Sequence, residues 1–128
     1  MNSSASLDTP LTDDVEALVA DWLTVPELAD RLGLDVVQTR QLLKDRRLVA
    51  VRRGERRVVS VPADFVVAGE IVNKLPGLLT LLADAGFDEN EALRWLFSDD
   101  ETLPGTPMRA LTENRGTEVR RRAQALAF

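Results

Sequence analysis

Nine lysine and arginine side chains fall within residues 31–57, a stretch of the chain that contains only three acids. This segment therefore carries a charge of +6, whereas the whole chain of 128 residues carries −5. Charges more than about 10 Å apart barely interact at 0.1 M salt, so a phosphate near this segment would meet a positive field. The segment is a candidate site for a polyanion, and the acidic average of the chain does not exclude nucleic acid.

Two short helices joined by a tight turn are predicted to position these cations. Residues 24–27 have the sequence of a capping box, Gly33 suits the left-handed end of a helix, and residues 35–38 form a second helix start. The second helix is expected to run to about Arg46, which completes a helix-turn-helix. Its buried face is predicted to comprise Thr39, Leu42 and Leu43, and the core or the turn lining is expected to include Val36 and Val37.

A change to alternating periodicity at residues 48–61 predicts a β-hairpin. The turn is expected at residues 53–56, and Pro62 is expected to end the second strand because proline cannot donate to a ladder. Four arginines surround the single glycine of this hairpin, which is typical of the wing of a winged helix. These arginines are Arg52, Arg53, Arg56 and Arg57.

The exposed positions of the second helix form the predicted DNA-binding surface. In a helix-turn-helix the second helix lies in the major groove, where glutamine can bind adenine and a cation can bind guanine or phosphate. We therefore predict base contacts by Gln38 and Gln41, and a base or phosphate contact by Arg40. Lys44 and Arg47 come later and are predicted to bind phosphate, as are the four wing arginines, which could also enter the minor groove.

The remaining apolar periodicity predicts a mostly α protein. Helices are expected over residues 11–23, with Thr12 as N-cap, and over 64–74; beyond residue 74 the chain is predicted to be helical apart from a loop at 98–107. The fold class is thus a winged helix-turn-helix with a two-stranded β wing, followed by a C-terminal α-helical region. The predicted domains are a flexible acidic segment (1–10), a DNA-binding domain (11–74) and a C-terminal helical domain (75–128).

The absence of histidine and cysteine excludes most catalytic machinery. Serine–histidine and cysteine–histidine catalysis, disulfides and zinc sites with nitrogen or sulfur ligands are all impossible. We therefore predict no enzyme, no cofactor and no metal, although a carboxylate pair such as Asp99 and Glu101 could still hold a metal ion. No stretch resembles a secretory signal or a membrane span, so the expected location is the cytoplasm, in association with the nucleoid.

The acidic N-terminal block has two interpretations. Residues 1–30 contain seven acids and no base. The block could form a solvated helix face, or it could fold near the basic segment and compete with DNA. Thr9 and Thr12 are candidate phosphate acceptors for a Ser/Thr kinase, and each phosphate would add about −1.5 to −2 charge to the competing block.

Residues 23–66 resemble the excisionase/MerR-type winged helix-turn-helix. The resemblance is carried by Leu23-Thr-Val-Pro-Glu-Leu-Ala-Asp-Arg-Leu-Gly-Leu and by Gln41-Leu-Leu-Lys-Asp-Arg-Arg-Leu-Val-Ala-Val-Arg-Arg. It implies a DNA-binding domain with a recognition helix at 35–46 and a wing at 49–61. Two positions depart from that family: Arg46 stands where glycine is frequent, and an apolar residue stands near Val37 where a polar one is usual.

The whole chain resembles a group of small actinobacterial winged-helix DNA-binding proteins with a C-terminal helical domain of uncertain role. The carrying segments are Lys74-Leu-Pro-Gly-Leu-Leu-Thr-Leu-Leu, Arg94-Trp-Leu-Phe and Val119-Arg-Arg-Arg-Ala-Gln-Ala-Leu-Ala-Phe. This implies a bacterial regulator. The C-terminal half is also similar to the toxin-binding domain of some antitoxins, through Glu91-Ala-Leu-Arg-Trp-Leu and Leu103-Pro-Gly-Thr-Pro-Met-Arg-Ala-Leu.

The combined prediction is sequence-preferring binding of double-stranded DNA by a transcriptional or nucleoid regulator. The alternative is a protein-interaction module, antitoxin-like or an adaptor, that uses the C-terminal helical domain. A protein partner for that domain is part of either view. The sequence leaves open whether the protein acts as a monomer or as a dimer.

Overall fold

The computed structural model describes residues 7–126, which form seven α-helices and five short β-strands. The helices are α1 Asp13–Leu18, α2 Val25–Leu32, α3 Val36–Lys44, α4 Leu75–Asp84, α5 Glu89–Leu96, α6 Pro107–Thr112 and α7 Gly116–Leu126. The strands are β1 Trp22–Thr24, β2 Val51–Arg53, β3 Val58–Pro62, β4 Val66–Val67 and β5 Glu70–Ile71. No helix within these residues is long and apolar enough to span a membrane.

The predicted helix-turn-helix is present in α2 and α3. The Thr24 hydroxyl accepts the Glu27 N–H at 3.4 Å, and a Glu27 carboxylate oxygen accepts the Thr24 N–H at 2.8 Å, which is the reciprocal pattern of a capping box. Asp35 and Gln38 repeat this pattern at the start of α3. Gly33 has a left-handed φ of 70° and ends α2. These local signals were therefore predicted correctly from the sequence.

Helix α3 ends at Lys44, two residues earlier than predicted, in a Schellman motif. The Arg46 N–H donates to the Leu43 carbonyl at 3.0 Å, and the Arg47 N–H donates to the Leu42 carbonyl at 3.1 Å. This motif requires a left-handed residue, and Arg46 supplies it with a φ of 60°. The backbone at residue 46 therefore favours glycine, although this chain has arginine there.

The predicted hairpin forms from β2 and β3, and a third strand extends it into an antiparallel sheet of order β1-β3-β2. Strand β1 aligns Leu23 with Val61, and β2 aligns Arg52 with Val59. The predicted helix over 11–23 is therefore wrong beyond residue 18. Pairing with β3 provides ladder hydrogen bonds and buries Leu23, which outweighs the helical spacing of the apolar residues.

The helix predicted over 64–74 is also wrong. Residues 63–65 form a single 3-10 turn, after which β4 and β5 pair as a second small hairpin. Ala68 and Gly69 connect the strands with φ values of 54° and 80°. Two positive values in a two-residue loop are typical of hairpin turns, and the flanking residues are mostly β-branched. The apolar residues of this segment thus follow a strand pattern around a glycine.

The C-terminal helices pack onto the winged helix around one continuous core. The helices and the loop preceding α6 agree with the prediction for the region after residue 74. Leu28 and Leu43 from the helix-turn-helix belong to the same buried cluster as Leu82 and Leu93 from α4 and α5. The rings of Phe65 and Phe97 lie 6.3 Å apart across the two halves. The winged helix and the C-terminal helices therefore share one hydrophobic core.

The flexible segment predicted over residues 1–10 lies outside the described residues up to residue 6. Thr9 and Pro10, by contrast, lie against strand β2. Thr12 occupies the N-cap position of α1 as predicted, but its side chain makes no capping hydrogen bond to the helix.

The left-handed backbone at residue 46 gives a stability prediction. Arg46→Gly should be more stable than Arg46→Ala by about 1 kcal/mol, because a Cβ at a φ of 60° is strained. Glycine is normally the less stable of the two residues by about 0.5–1 kcal/mol, so the expected sign is reversed. Urea denaturation of both variants measures the difference. Equal stability, or a more stable alanine variant, would contradict the left-handed assignment.

Candidate nucleic-acid interface

One face of α3 is buried and the opposite face is exposed. Thr39 and Leu43 are almost fully buried, and the Thr39 hydroxyl donates to the Asp35 carbonyl at 2.8 Å. A buried hydroxyl needs such an acceptor, so α3 can dock on α2 without leaving a polar group unpaired. The outward face consists of exposed side chains that include all the predicted contact residues of this helix, namely Gln38, Arg40, Gln41 and Lys44.

Both predicted adenine-reading glutamines are already engaged within the chain. The Gln38 amide oxygen accepts the Asp35 N–H at 3.1 Å, as part of the capping box. The Gln41 amide nitrogen donates to Asp45 at 2.9 Å. A bidentate contact to adenine needs both the oxygen and the nitrogen of one amide, so either glutamine would first have to break its present hydrogen bond.

The cations of this face are available without such a cost. Arg40, Lys44 and Arg47 are exposed and take part in no ion pair within residues 7–126. Unpaired arginine and lysine can bind guanine or phosphate directly. The long cationic side chains of α3 are therefore the groups best placed to contact DNA first.

Val36 and Val37 do not belong to the core, and the prediction that they complete the core or line the turn is wrong. Val36 is 42% exposed and Val37 is 77% exposed. The face of α3 toward α2 is already occupied by Thr39 and Leu43, so the two valines of the first turn lie outside the contact. Helical spacing alone could have predicted the exposure of Val37, because Val37 precedes the exposed Gln41 by four residues and so shares its face.

The four wing arginines divide into two pairs. Arg56 and Arg57 lie exposed at the turn between β2 and β3 and form no ion pair in the described part of the chain. Arg52 donates to the Arg57 carbonyl at 2.9 Å, which closes the hairpin, and pairs with Asp8 at 3.1 Å. The sequence alone does not distinguish these four arginines. In the structure, Arg56 and Arg57 at the tip are the pair that can bind a phosphate without breaking an ion pair.

Arg53 has both an ionic and an aromatic partner. Its guanidinium lies 3.4 Å from a Glu16 carboxylate oxygen and 5.6 Å from the centre of the Trp22 ring. A cation over a tryptophan ring gains about 0.5–1 kcal/mol at an exposed site. Arg53 is thereby fixed against α1 and β1.

Residues 9–11 lie along the free edge of β2. The Arg52 N–H donates to the Thr9 carbonyl at 2.7 Å, and the Leu11 N–H donates to the Arg52 carbonyl at 2.9 Å. The segment formed by residues 7–12 is called the N-terminal strap below. Because the strap pairs with the edge strand of the wing, it brings Asp8 beside Arg52. The acidic block therefore lies near part of the basic segment, as one of the two interpretations of the sequence expected.

Helix α5 anchors the strap from the other side. The Asn90 amide donates to the Pro10 carbonyl at 2.9 Å and accepts the Thr12 N–H at 3.1 Å, although the residues are about 80 positions apart. Asn90 is only 8% exposed. Arg94, one turn further along α5, pairs with Asp14 at 2.6 Å. Sequence reasoning missed both residues, because no local pattern distinguishes a polar residue that binds across the fold.

The Arg94 hydrogen bond holds the pKa of the Asp14 carboxyl well below its ordinary value, and the Thr12 hydroxyl lowers it further. The same ion pair raises the pKa of Arg94. A carboxyl with a depressed pKa stabilises the fold at pH values above its unfolded pKa and loses this contribution only as the pH falls through the folded pKa. The contact between α1 and α5 thus persists at pH values where ordinary aspartates begin to protonate.

The residues considered for a metal site lie in the loop before α6. Asp99 and Glu101 are both exposed, while the Asp100 carboxylate accepts the Thr102 N–H and hydroxyl at 2.8 and 2.6 Å, which lowers the pKa of Asp100. Among residues 7–126, no group of three or more acidic side chains is arranged to hold a metal ion.

Comparison with known proteins assigns the chain to a family. The family model described as "DNA-binding protein Rv2175c, wHTH domain" matches residues 8–66. A second family model, "Rv2175c C-terminal domain of unknown function", matches residues 72–127. The DNA-binding protein Rv2175c of Mycobacterium tuberculosis is 38% identical over 131 residues, covering 93% of this chain and 89% of the relative. The chain belongs to the Rv2175c family. The expected resemblance to actinobacterial winged-helix proteins is therefore confirmed.

The NMR structure of Rv2175c supports the fold as well as the family. It matches this structure with a TM-score of 0.81 at 37% identity, covering 94% of this chain and 90% of that chain. The two Rv2175c family models leave residues 67–71, most of the β4–β5 hairpin, between them, so Asn90 and Arg94 fall in the domain of unknown function. Their partners, Pro10, Thr12 and Asp14, fall in the winged-helix part.

The Asp14–Arg94 pair gives a titration prediction. In a pH titration followed by carbon NMR, the Asp14 carboxyl should titrate well below the 3.8 usual for aspartate. Arg94→Ala should raise the Asp14 pKa toward 3.8, because the strongest hydrogen bond to the carboxylate is removed. Arg109→Ala removes an arginine that pairs with Glu113 instead and should leave the Asp14 pKa unchanged. An ordinary Asp14 pKa in the unmodified protein would contradict the contact.

Proposed function

We propose that this protein binds double-stranded DNA, prefers some DNA sequences over others, and acts as a bacterial transcriptional or nucleoid regulator. The observation that carries the proposal is the set of exposed cations on α3 and at the tip of the hairpin, none of which forms an ion pair within residues 7–126. The relative Rv2175c is named a DNA-binding protein, and both proteins share the winged helix-turn-helix. Helix α3 enters the major groove, and the hairpin tip contacts the neighbouring phosphates or the minor groove.

The proposed DNA contacts are made by the cations that form no ion pair within the described residues. Five predicted contact residues are free of ion pairs within residues 7–126: Arg40, Lys44, Arg47, Arg56 and Arg57. Phosphate contacts by these side chains would fix the position of α3 without reading sequence, and the glutamines and Arg40 would supply base readout. The protein acts in this proposal as a binding module, not as an enzyme, and it is located with the nucleoid in the cytoplasm. A protein partner for the C-terminal helices remains an expectation.

The N-terminal strap reduces DNA affinity in this proposal. Within the strap, the Asp8 carboxylate competes with DNA phosphates for the guanidinium group of Arg52, while Glu16, in α1, pairs with Arg53. A state in which the strap has left β2 offers Arg52 to DNA as one more cation. Because the apparent affinity falls with the fraction of molecules in the competent state, a stable strap weakens binding.

Phosphorylation by a Ser/Thr kinase would strengthen this competition, and the surroundings favour Thr9 over Thr12. Thr9 is adjacent to Asp8 and lies beside Arg52, whose N–H donates to the Thr9 carbonyl. The Thr12 hydroxyl already donates to Asp14 at 2.7 Å, so a phosphate there would meet a carboxylate and would be repelled. A phosphate on Thr9 would add about −1.5 to −2 charge beside the wing arginines.

Salt dependence tests the main proposal. With five phosphate contacts, log K for a labelled duplex should fall against log[salt] with a slope of about −4 to −5. Arg56→Ala should reduce this slope by about 1 for all sequences alike, because it removes one counterion-releasing contact. Arg109→Ala changes the net charge equally but lies in α6 and should leave the slope unchanged. A flat salt response, or no binding at about 50 mM salt, would remove the DNA proposal.

The anchor of the strap can be tested without changing any charge. Asn90→Ala removes the amide hydrogen bonds to Pro10 and Thr12 of the strap and should tighten DNA binding on the order of tenfold at low salt, with a steeper slope. Gln124→Ala truncates an exposed amide on α7 and serves as the matched control. Thermal unfolding of both variants verifies that they are folded. Unchanged affinity for Asn90→Ala would mean that the strap does not compete with DNA.

A further inference from the structure

The most exposed large hydrophobic side chain among residues 7–126 lies on the predicted recognition helix. Val37 is 77% exposed, ahead of Val67 at 54%. It stands in the first turn of α3, and Gln41 and Lys44 follow it by four and seven residues on the same side of the helix. Val37 is therefore at the centre of the outward face and not at its margin.

Nothing in the local structure of α3 calls for a valine at this position. The helix start is capped by Asp35 and Gln38, and the contact with α2 is filled by Thr39 and Leu43. A β-branched residue in an exposed helix position loses side-chain freedom and gains no burial. The valine costs some helix stability and exposes apolar surface, and a contact in the DNA-bound state would offset this cost.

We propose that Val37 reads thymine by packing its methyl groups on the thymine 5-methyl group in the major groove. This inference rests on the proposed DNA binding. The thymine methyl is the one apolar group that base pairs display in that groove, and it distinguishes a T·A pair from all others. First-turn residues of a recognition helix are the ones that reach base edges, and Val37 belongs to that turn.

The neighbours of Val37 select DNA over a protein as the occupant. Among the exposed large hydrophobic residues of 7–126, only Val36, which is 42% exposed, lies on the same helix, and the other exposed positions of α3 are polar or cationic. Protein-binding patches are larger and more continuous than two valines provide. A surface with Arg40 and Lys44 around a small apolar centre is complementary to phosphates that flank an apolar base edge.

The hydrogen bonds that Gln38 and Gln41 already make increase the expected share of Val37 in base recognition. Gln38 is bonded in the cap and Gln41 is bonded to Asp45, so each must break a hydrogen bond before it can bind adenine. Val37 breaks no contact when it meets a methyl group. Sequence preference is therefore expected to centre on T·A pairs under the first turn of α3.

The test uses the full chain and duplexes selected from a randomised pool. The best duplex is made again with deoxyuridine in place of thymidine at each position in turn, which removes the 5-methyl group and leaves base pairing intact. The unmodified protein should bind about fourfold more weakly at one or two positions, which corresponds to the ~0.8 kcal/mol of one buried methylene-sized group. Val37→Ala should bind the two duplexes equally, since its side chain no longer reaches the methyl group.

The controls separate this inference from the DNA proposal. Val67→Ala makes the same change at an exposed valine on β4 and should keep the response to deoxyuridine. Alanine has the higher helix propensity, so Val37→Ala remains folded. Binding without any response to deoxyuridine, a response that persists in Val37→Ala, or no preferred sequence would overturn thymine reading and leave DNA binding intact. Absence of binding at about 50 mM salt would overturn both.

Discussion

Electrostatic repulsion within the wing is the constraint to which much of this structure responds. Four arginines occur within six residues of one hairpin, and like charges at that spacing disfavour a folded turn. In the fold, Arg52 and Arg53 pair with carboxylates of the N-terminal block, and Arg53 also lies over the Trp22 ring. Arg56 and Arg57 remain at the tip. The hairpin is thus half neutralised from within and half left for an external anion.

This internal neutralisation links parts of the chain that are distant in sequence. Surface ion pairs are individually weak, so Asp8 and Glu16 could not hold the N-terminal residues on the wing by charge alone. Backbone pairing with β2 and the buried amide of Asn90 provide the geometry, and the pairs then form at little further entropic cost. The shared core, with Phe65 against Phe97, keeps α5 at a fixed distance from the wing. The C-terminal helices thereby gain a structural role in setting the charge of the DNA-binding face.

The features predicted correctly from the sequence are those decided within a few residues. Both capping boxes depend on side chains three positions apart, and the end of α2 depends on the left-handed Gly33. Two of the missed features depend on distant partners. Residues 22–24 have helical spacing but pair with β3, and Asn90 is an ordinary helix residue until Pro10 lies beside it. The prediction for Val37 is wrong for a different reason: an apolar side chain need not be buried.

The proposed DNA interface has two layers of opposite character. Cations on α3 and at the hairpin tip provide attraction that is independent of sequence and sensitive to salt. Within this ring, Val37 offers an uncharged contact that salt does not screen, while Gln38 and Gln41 are restrained by hydrogen bonds of their own. The acidic strap acts only on the first layer, since its one carboxylate, that of Asp8, faces Arg52 and not α3. A strap that weakens binding in this way lowers affinity for all sequences in similar proportion, and the preference among sequences, which depends on the contacts of α3, is preserved.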